Sequence, residues 1–175
     1  KQVTAMLQNY NPSQSQHMPG YARRTDEAQK MGHKSLEWAQ KEALFSFVTV
    51  NSPQGADIVV LYCAKTVQEE HSGFTSYPYE WSQPCLIQIV VDNKIDDAQL
   101  KANSLTQISA HEFTHAFGLK HSSDPKDLMY PTGEWVEGSD HRMTMVTEHS
   151  ASDKMCLRAL YTMEPDVKFI SVQHK

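Results

Sequence analysis

At 175 residues the chain is long enough for one domain with a self-sustaining core and too short for two ordinary ones. Its hydrophobic fraction of 39%, with three Trp, six Phe and seven Tyr, excludes a disordered tail. A net charge of −5 without long runs excludes a basic stripe for nucleic acid, and apolar runs such as "CLIQIVV" fall far short of the roughly 20 residues of a membrane span.

In chain order, "KQVTAMLQNYNP" reads as a strand ended by a turn. From Thr25, an N-cap residue type, Ala28, Met31, Leu36, Ala39 and Ala43 recur at near-helical spacing, and a long helix is expected there. "LFSFVTV" and "ADIVVLY" are strand-like runs split by "NSPQG". Residues 63–84 read mostly as loop, with a short edge strand at Gly73 to Ser76, and "CLIQIVVD" reads as a buried strand. "NKIDDAQLKANS" is a polar connection, after which a helix is expected from about Ser104 to Gly118, a residue suited to a left-handed C-terminal cap. The chain then reads as irregular until a last helix near Ser150 to Tyr161, whose start Glu148 and Asp153 favour. This order predicts an α/β (α+β) fold.

The chemistry concentrates in "HEFTHAFGLKH", residues 111–121. Helix positions i and i+4 share a face, so His111 and His115 present two imidazoles to one ion. Glu112, turned aside by about 100°, borders the ion's open position, where a general base for water belongs. A catalytic zinc needs a third protein ligand, and Gly118 can turn the chain so that "LKH" brings His121 back. A lone H-E-x-x-H also arises by chance on solvated helix faces, whereas the extended pattern with glycine and third histidine is far rarer. His17, His33, His71, His141, His149 and His174 are scattered and read as surface residues.

These residues resemble the metzincin zinc endopeptidases, whose signature is this extended motif followed by a methionine turn. "SSDPKDLMYP" supplies Met129, and Ser122 with the "HSSDP...LMYP" stretch looks most like the matrixin branch, the matrix metalloproteinases and their bacterial relatives. "VTAMLQNYNP" looks like the matrixin first strand, and "SDKMCLRALY" like its closing helix. The resemblance implies a metzincin fold in one domain: an upper subdomain (1–118) with a twisted five-stranded mixed sheet and two long helices, a lower subdomain (119–175) ending in a helix, and an active-site cleft between them. It implies zinc ligands His111, His115 and His121, the general base Glu112, and Gly118 and Met129 in support, Met129 as the apolar floor beneath the metal.

Departures are visible too. The loop 64–84 holds a single histidine, His71, where animal matrixins carry more, so a second, structural zinc is not expected and calcium has no supporting residue set. The Pro-x-Tyr wall after the methionine turn is replaced by "PTG" at 131–133, in the region where the family builds its specificity pocket. If strands 57–62 and 86–91 are parallel neighbours, as the family fold implies, Cys63 and Cys85 lie on the order of 15 to 20 Å apart and cannot pair. Cys156 reads as a small buried hydrophobe.

The expected function is zinc-dependent hydrolysis of peptide bonds in an extended peptide or protein, by a monomer that is secreted or extracytoplasmic. The opening residues lack the apolar core of a signal peptide, which does not exclude secretion. The alternative is a catalytically silent zinc-containing module that binds peptides, against which the intact Glu112 argues. A purely structural zinc domain conflicts with three histidines and no fourth ligand nearby.

Overall fold

The computed structural model describes residues 2–9, 34–50, 56–63, 71–77, 84–90, 97–133, 135–137 and 143–163. Five strands, β1 (Gln2–Asn9), β2 (Ser46–Val50), β3 (Ile58–Cys63), β4 (Gly73–Ser76) and β5 (Cys85–Val90), form one sheet in the order β2-β1-β3-β5-β4. All neighbours are parallel except β4, which runs antiparallel to β5 at the sheet's edge. The helices are α1 (Glu37–Lys41), α2 (Ala98–Ala116) and α3 (Ala151–Thr162). The fold is mixed α+β, as its element order predicts.

Alternation along the strands decides which residues meet the helices. Ile58, Val60 and Tyr62 of β3 pack with Ile87 and Ile89 of β5 in the main core. Leu36 and Ala39 of the α1 region, Leu105 and Phe113 of α2 and Leu157 of α3 complete it. Phe45 stacks on Phe117 with ring centroids 4.1 Å apart, which welds the start of β2 to the end of α2 and contributes roughly 0.5–1.5 kcal/mol beyond area burial. Val59 faces the other way, into a smaller cluster with Ala56, Leu61 and Leu86, so β3 is covered on both faces as parallel strands usually are.

Several boundaries differ from the sequence expectation. Helix α2 starts two turns earlier than Ser104, because the Asp97 carboxylate accepts the Leu100 N–H at 2.6 Å and caps a polar opening that lacks apolar periodicity. The irregular stretch after Gly118 contains a short antiparallel hairpin, β6 (Trp135–Glu137) with β7 (Met143–Met145). The final helix matches: Ser150 caps the Asp153 N–H at 3.0 Å, and the Asp153 carboxylate returns to the Ser150 N–H at 3.1 Å. The first half of the helix expected from Thr25, with Ala28 and Met31, lies outside the described residues.

The cysteines are free. Cys85 pairs in register with Ile58 and Cys63 with Val90, five residues further along, so the two thiols cannot meet. Burial pushes the Cys85 thiol up to about 11, which leaves it an inert core residue. Cys156 corrects its expectation, since it is exposed on α3 and not buried. No helix among the described residues is long and apolar enough to cross a membrane.

Ala43 also departs from expectation, being exposed and carrying φ of 58° in place of a helical core position. It closes α1 in a left-handed turn, with Leu44 N–H on Ala39 O at 3.0 Å and Ala43 N–H on Gln40 O at 3.0 Å. An alanine there carries a steric penalty that glycine avoids. Ala43→Gly is therefore expected to raise stability by about 0.5 kcal/mol, net of its greater unfolded-chain entropy. Urea denaturation of both proteins checks this, and a lower midpoint for the variant at equal slope would contradict it.

Candidate active site

Helix α2 ends at Ala116, and Gly118 takes φ of 96°, a conformation most side chains resist. The Gly118 and Leu119 N–H groups satisfy the last carbonyls of the helix, on His115 at 2.8 Å and Thr114 at 3.3 Å. The chain thereby turns back along the helix, and His121 arrives beside His111 and His115. Its Nε2 lies 3.1 Å from that of His115 and 3.2 Å from that of His111. The expected triad is brought together, and among the described residues it is the group of histidines, cysteines and carboxylates with metal-ligand spacing.

The outer ring nitrogens decide what the inner ones can do. His111 Nδ1 lies 2.8 Å from Leu128 O, and His115 Nδ1 lies 2.7 Å from Leu119 O. Carbonyls only accept, so both Nδ1 atoms carry the proton and both Nε2 atoms present lone pairs. His121 can offer at most one proton to two such neighbours when neutral. At least one nitrogen pair therefore confronts lone pair with lone pair, and a cation resolves that conflict. Tetrahedral nitrogens bound at 2.0–2.1 Å to zinc sit about 3.3 Å apart, close to the observed separations. Burial drives the His111 pKa down to about 4, against the opposing hydrogen bond to Leu128, and lowers that of His115. Both rings are thus neutral at pH 7, the state in which imidazole ligates. The donor set fits a zinc ion.

Below the triad the return loop is fastened to the rest of the molecule. Met129 is fully buried, and its carbonyl accepts the Ser122 N–H at 2.8 Å. The Ser122 hydroxyl donates to Asp127 at 2.6 Å, and the Leu128 N–H donates to the buried Asp153 carboxylate at 2.9 Å. Asp153 thus joins the capping box of α3 to the loop whose carbonyl orients His111. The sequence expectation covered only the first half of this job.

Glu112 points to β4. It is 6% exposed, and burial pushes its carboxyl up to about 7, against the lowering effect of a hydrogen bond from the Thr75 hydroxyl at 2.6 Å. A cleft of about 1050 Å³ runs past it. Its walls are β4, the triad, and the segment Tyr130 to Gly133 with Met145 of β7. Gln107, one turn before His111, enters the cleft from α2, and its Oε1 lies 2.7 Å from where a Cβ on Gly133 would sit. Its carboxamide uses the space left by the missing side chain at Gly133. Neither Thr75 nor Gln107 has a signal in the sequence, because their proximity to the site comes from sheet and loop packing.

His149 corrects the surface reading given to the scattered histidines. It is 5% exposed, with Nε2 2.6 Å from Thr114 Oγ1 and Nδ1 3.5 Å from Trp38 Nε1. It clamps a flank of the histidine helix to α1 and to the start of α3. His71 is exposed as expected, and His17, His33, His141 and His174 lie outside the described residues.

A mixed sheet whose antiparallel edge strand lies along the histidine-bearing helix is the arrangement of a metzincin catalytic domain. Within that class the chain belongs to the matrixin family, whose model matches residues 14–162. Matrix metalloproteinase-20 of Homo sapiens is 31% identical over 142 residues, 74% of this chain and 26% of that protein. Matrix metalloproteinase-25 of Homo sapiens is 26% identical over 157 residues, 79% of this chain and 26% of that protein. Matrix metalloproteinase-9 of Canis lupus familiaris is 57% identical over 35 residues, 20% of this chain and 5% of that protein. The chain spans about a quarter of the length of the two human relatives, 26% in each case. Family membership implies zinc and supports a zinc metalloprotease, and the three histidines are close enough to hold a metal.

Burial drives the His149 pKa down to about 4, with Lys154 adding to the effect and a hydrogen bond to the Ser35 backbone opposing it. A depressed folded-state value means that this stability is present above about pH 6.5 and is lost as pH falls toward 4. The stability advantage of the parent over His149→Gln should therefore shrink between pH 7 and pH 4.5, by at most about 3 kcal/mol. Melts of both proteins in chelator keep ligand titration common to the two, and a pH-independent gap would show that His149 is not buried neutral.

Proposed function

We propose that the chain is a zinc-dependent endopeptidase domain that hydrolyses peptide bonds in extended protein segments. The observation that carries this reading is the convergence of three lone-pair-bearing imidazoles beside one buried carboxyl, at the floor of an open cleft. His111, His115 and His121 would hold a single catalytic zinc, and Met129 would floor it. Bound zinc supplies Lewis acidity toward water and the scissile carbonyl.

The chain's own residues do the rest. Glu112, placed by burial near a neutral-pH pKa, accepts the proton of the attacking water and delivers it to the amine nitrogen as the carbon–nitrogen bond breaks. One water is consumed, and a carboxylic acid and an amine are released. Among the described residues no strand pairs with the outer edge of β4, and an extended substrate would add there as a strand. Tyr130 to Gly133, Gln107 and Met145 line the wall that would select side chains.

On this reading residues 1–175 act as one catalytic domain, an upper part to Gly118 and a lower part from Leu119. It works as a monomer outside the cytoplasm, with no second structural zinc.

Glu112→Ala is expected to keep stoichiometric zinc and the fold while losing at least about a hundredfold in kcat on an unfolded protein substrate. Digestion at the parent's rate by that variant would reject the mechanism. His121→Ala should instead lose the metal, as measured by elemental analysis of the dialysed protein, and full zinc retention would remove His121 from the ligand set.

A further inference from the structure

Gly73 and Thr75 of β4, and Tyr77 just after the strand, meet the helix at the site. The Tyr77 hydroxyl donates to His115 O, Thr75 reaches Glu112, and Gly73 lies under the Glu112 carboxyl. The pairing of Gly73 with Ile89 and of Thr75 with Ile87 puts both on the core face of the sheet. A Cβ on Gly73 would stand 2.4 Å from Glu112 Oε1, 2.6 Å from Cγ and 2.8 Å from Cδ. The carboxyl therefore occupies the space of a missing side chain. No positive φ is recorded at Gly73, so the reason for glycine there is this close approach and not a turn.

Thr75 Oγ1 lies 2.6 Å from Glu112 Oε2 and 3.0 Å from Glu112 O, and its single proton goes to the closer and more basic acceptor. That bond ties Oε2 to the strand and holds the carboxyl in the Gly73 slot. An unheld glutamate on a helix samples several rotamers, and a catalytic group must stay within about 0.5 Å of its working position.

We infer that Thr75 is a positioning residue for Glu112, acting in the slot that Gly73 opens, so that the edge strand orients the general base as well as receiving substrate. This rests on the reading of Glu112 as the base. The hydroxyl points at the helix and not at the edge, so its loss should affect the chemical step and not substrate docking.

The test compares the parent with Thr75→Val, Thr75→Ser, Gly73→Ala and Glu112→Gln, as zinc-loaded full-length chains acting on one quenched peptide substrate. Thr75→Val and Gly73→Ala are expected to lower kcat about ten- to a hundredfold with KM within twofold and zinc content unchanged, and Thr75→Ser to recover most of the loss. A crystal structure of Thr75→Val should show the Glu112 carboxyl displaced from β4. Parent-like kcat in Thr75→Val, an equal loss in Thr75→Ser, loss of zinc, or an unmoved carboxyl would each overturn the assignment. Gly73→Ala at the parent's kcat would overturn the slot. If Glu112→Gln cleaves as fast as the parent, the base reading itself fails, whatever the strand variants do.

Discussion

Two ring hydrogen bonds, His111 to Leu128 O and His115 to Leu119 O, are the constraint on which the rest of the site depends. They fix both tautomers, and so they turn two inner nitrogens into lone pairs aimed at one point. The acceptors come from the return loop and not from the helix. The helix can therefore aim its two imidazoles at one point only if the chain leaves it at Gly118 and comes back. His121 travels on the same return, which couples the third imidazole to the orientation of the first two.

The loop is held by groups with other duties. Asp153 closes the N-terminus of α3 and at the same time accepts the Leu128 N–H, so the last helix of the described chain sets the position of a carbonyl that orients His111. His149, just before that helix, holds a flank of α2 through Thr114. A buried acid and a buried neutral histidine, each satisfied by neighbours from distant segments, thus hold the return loop and one flank of the histidine helix. Such contacts resist substitution because removing one partner leaves a desolvated polar group behind.

The site elements were legible to different degrees. The eleven residues from His111 to His121 declared themselves because helix geometry converts spacing directly into direction, and Gly118 sits where a left-handed exit is needed. The core strands were legible from short apolar runs, and the edge strand at Gly73 only as a short segment in a stretch read mostly as loop. The start of α2 was not, since its first turns are polar and depend on the Asp97 cap. Ala43 concealed the end of α1, because a left-handed alanine gives none of the signal a glycine would. His149 looked like one more scattered histidine, and Cys156 like core, because burial of a single side chain depends on what packs over it.

Sequence by itself determined the three-histidine cluster able to hold a metal and the class of fold, since both follow from local periodicity and from the types of side chain at fixed separations. Tertiary structure alone decided how the site is governed. Gly73 and Thr75 lie 39 and 37 residues before Glu112 (112 − 73 and 112 − 75), and no local rule links them to it. The antiparallel pairing of β4 with β5 carries them onto the helix, and the missing Cβ lets the carboxyl settle there. Gln107 likewise gains its place in the cleft from a loop that bears no side chain at Gly133. Contacts of this kind depend on register and packing, which a linear pattern does not encode.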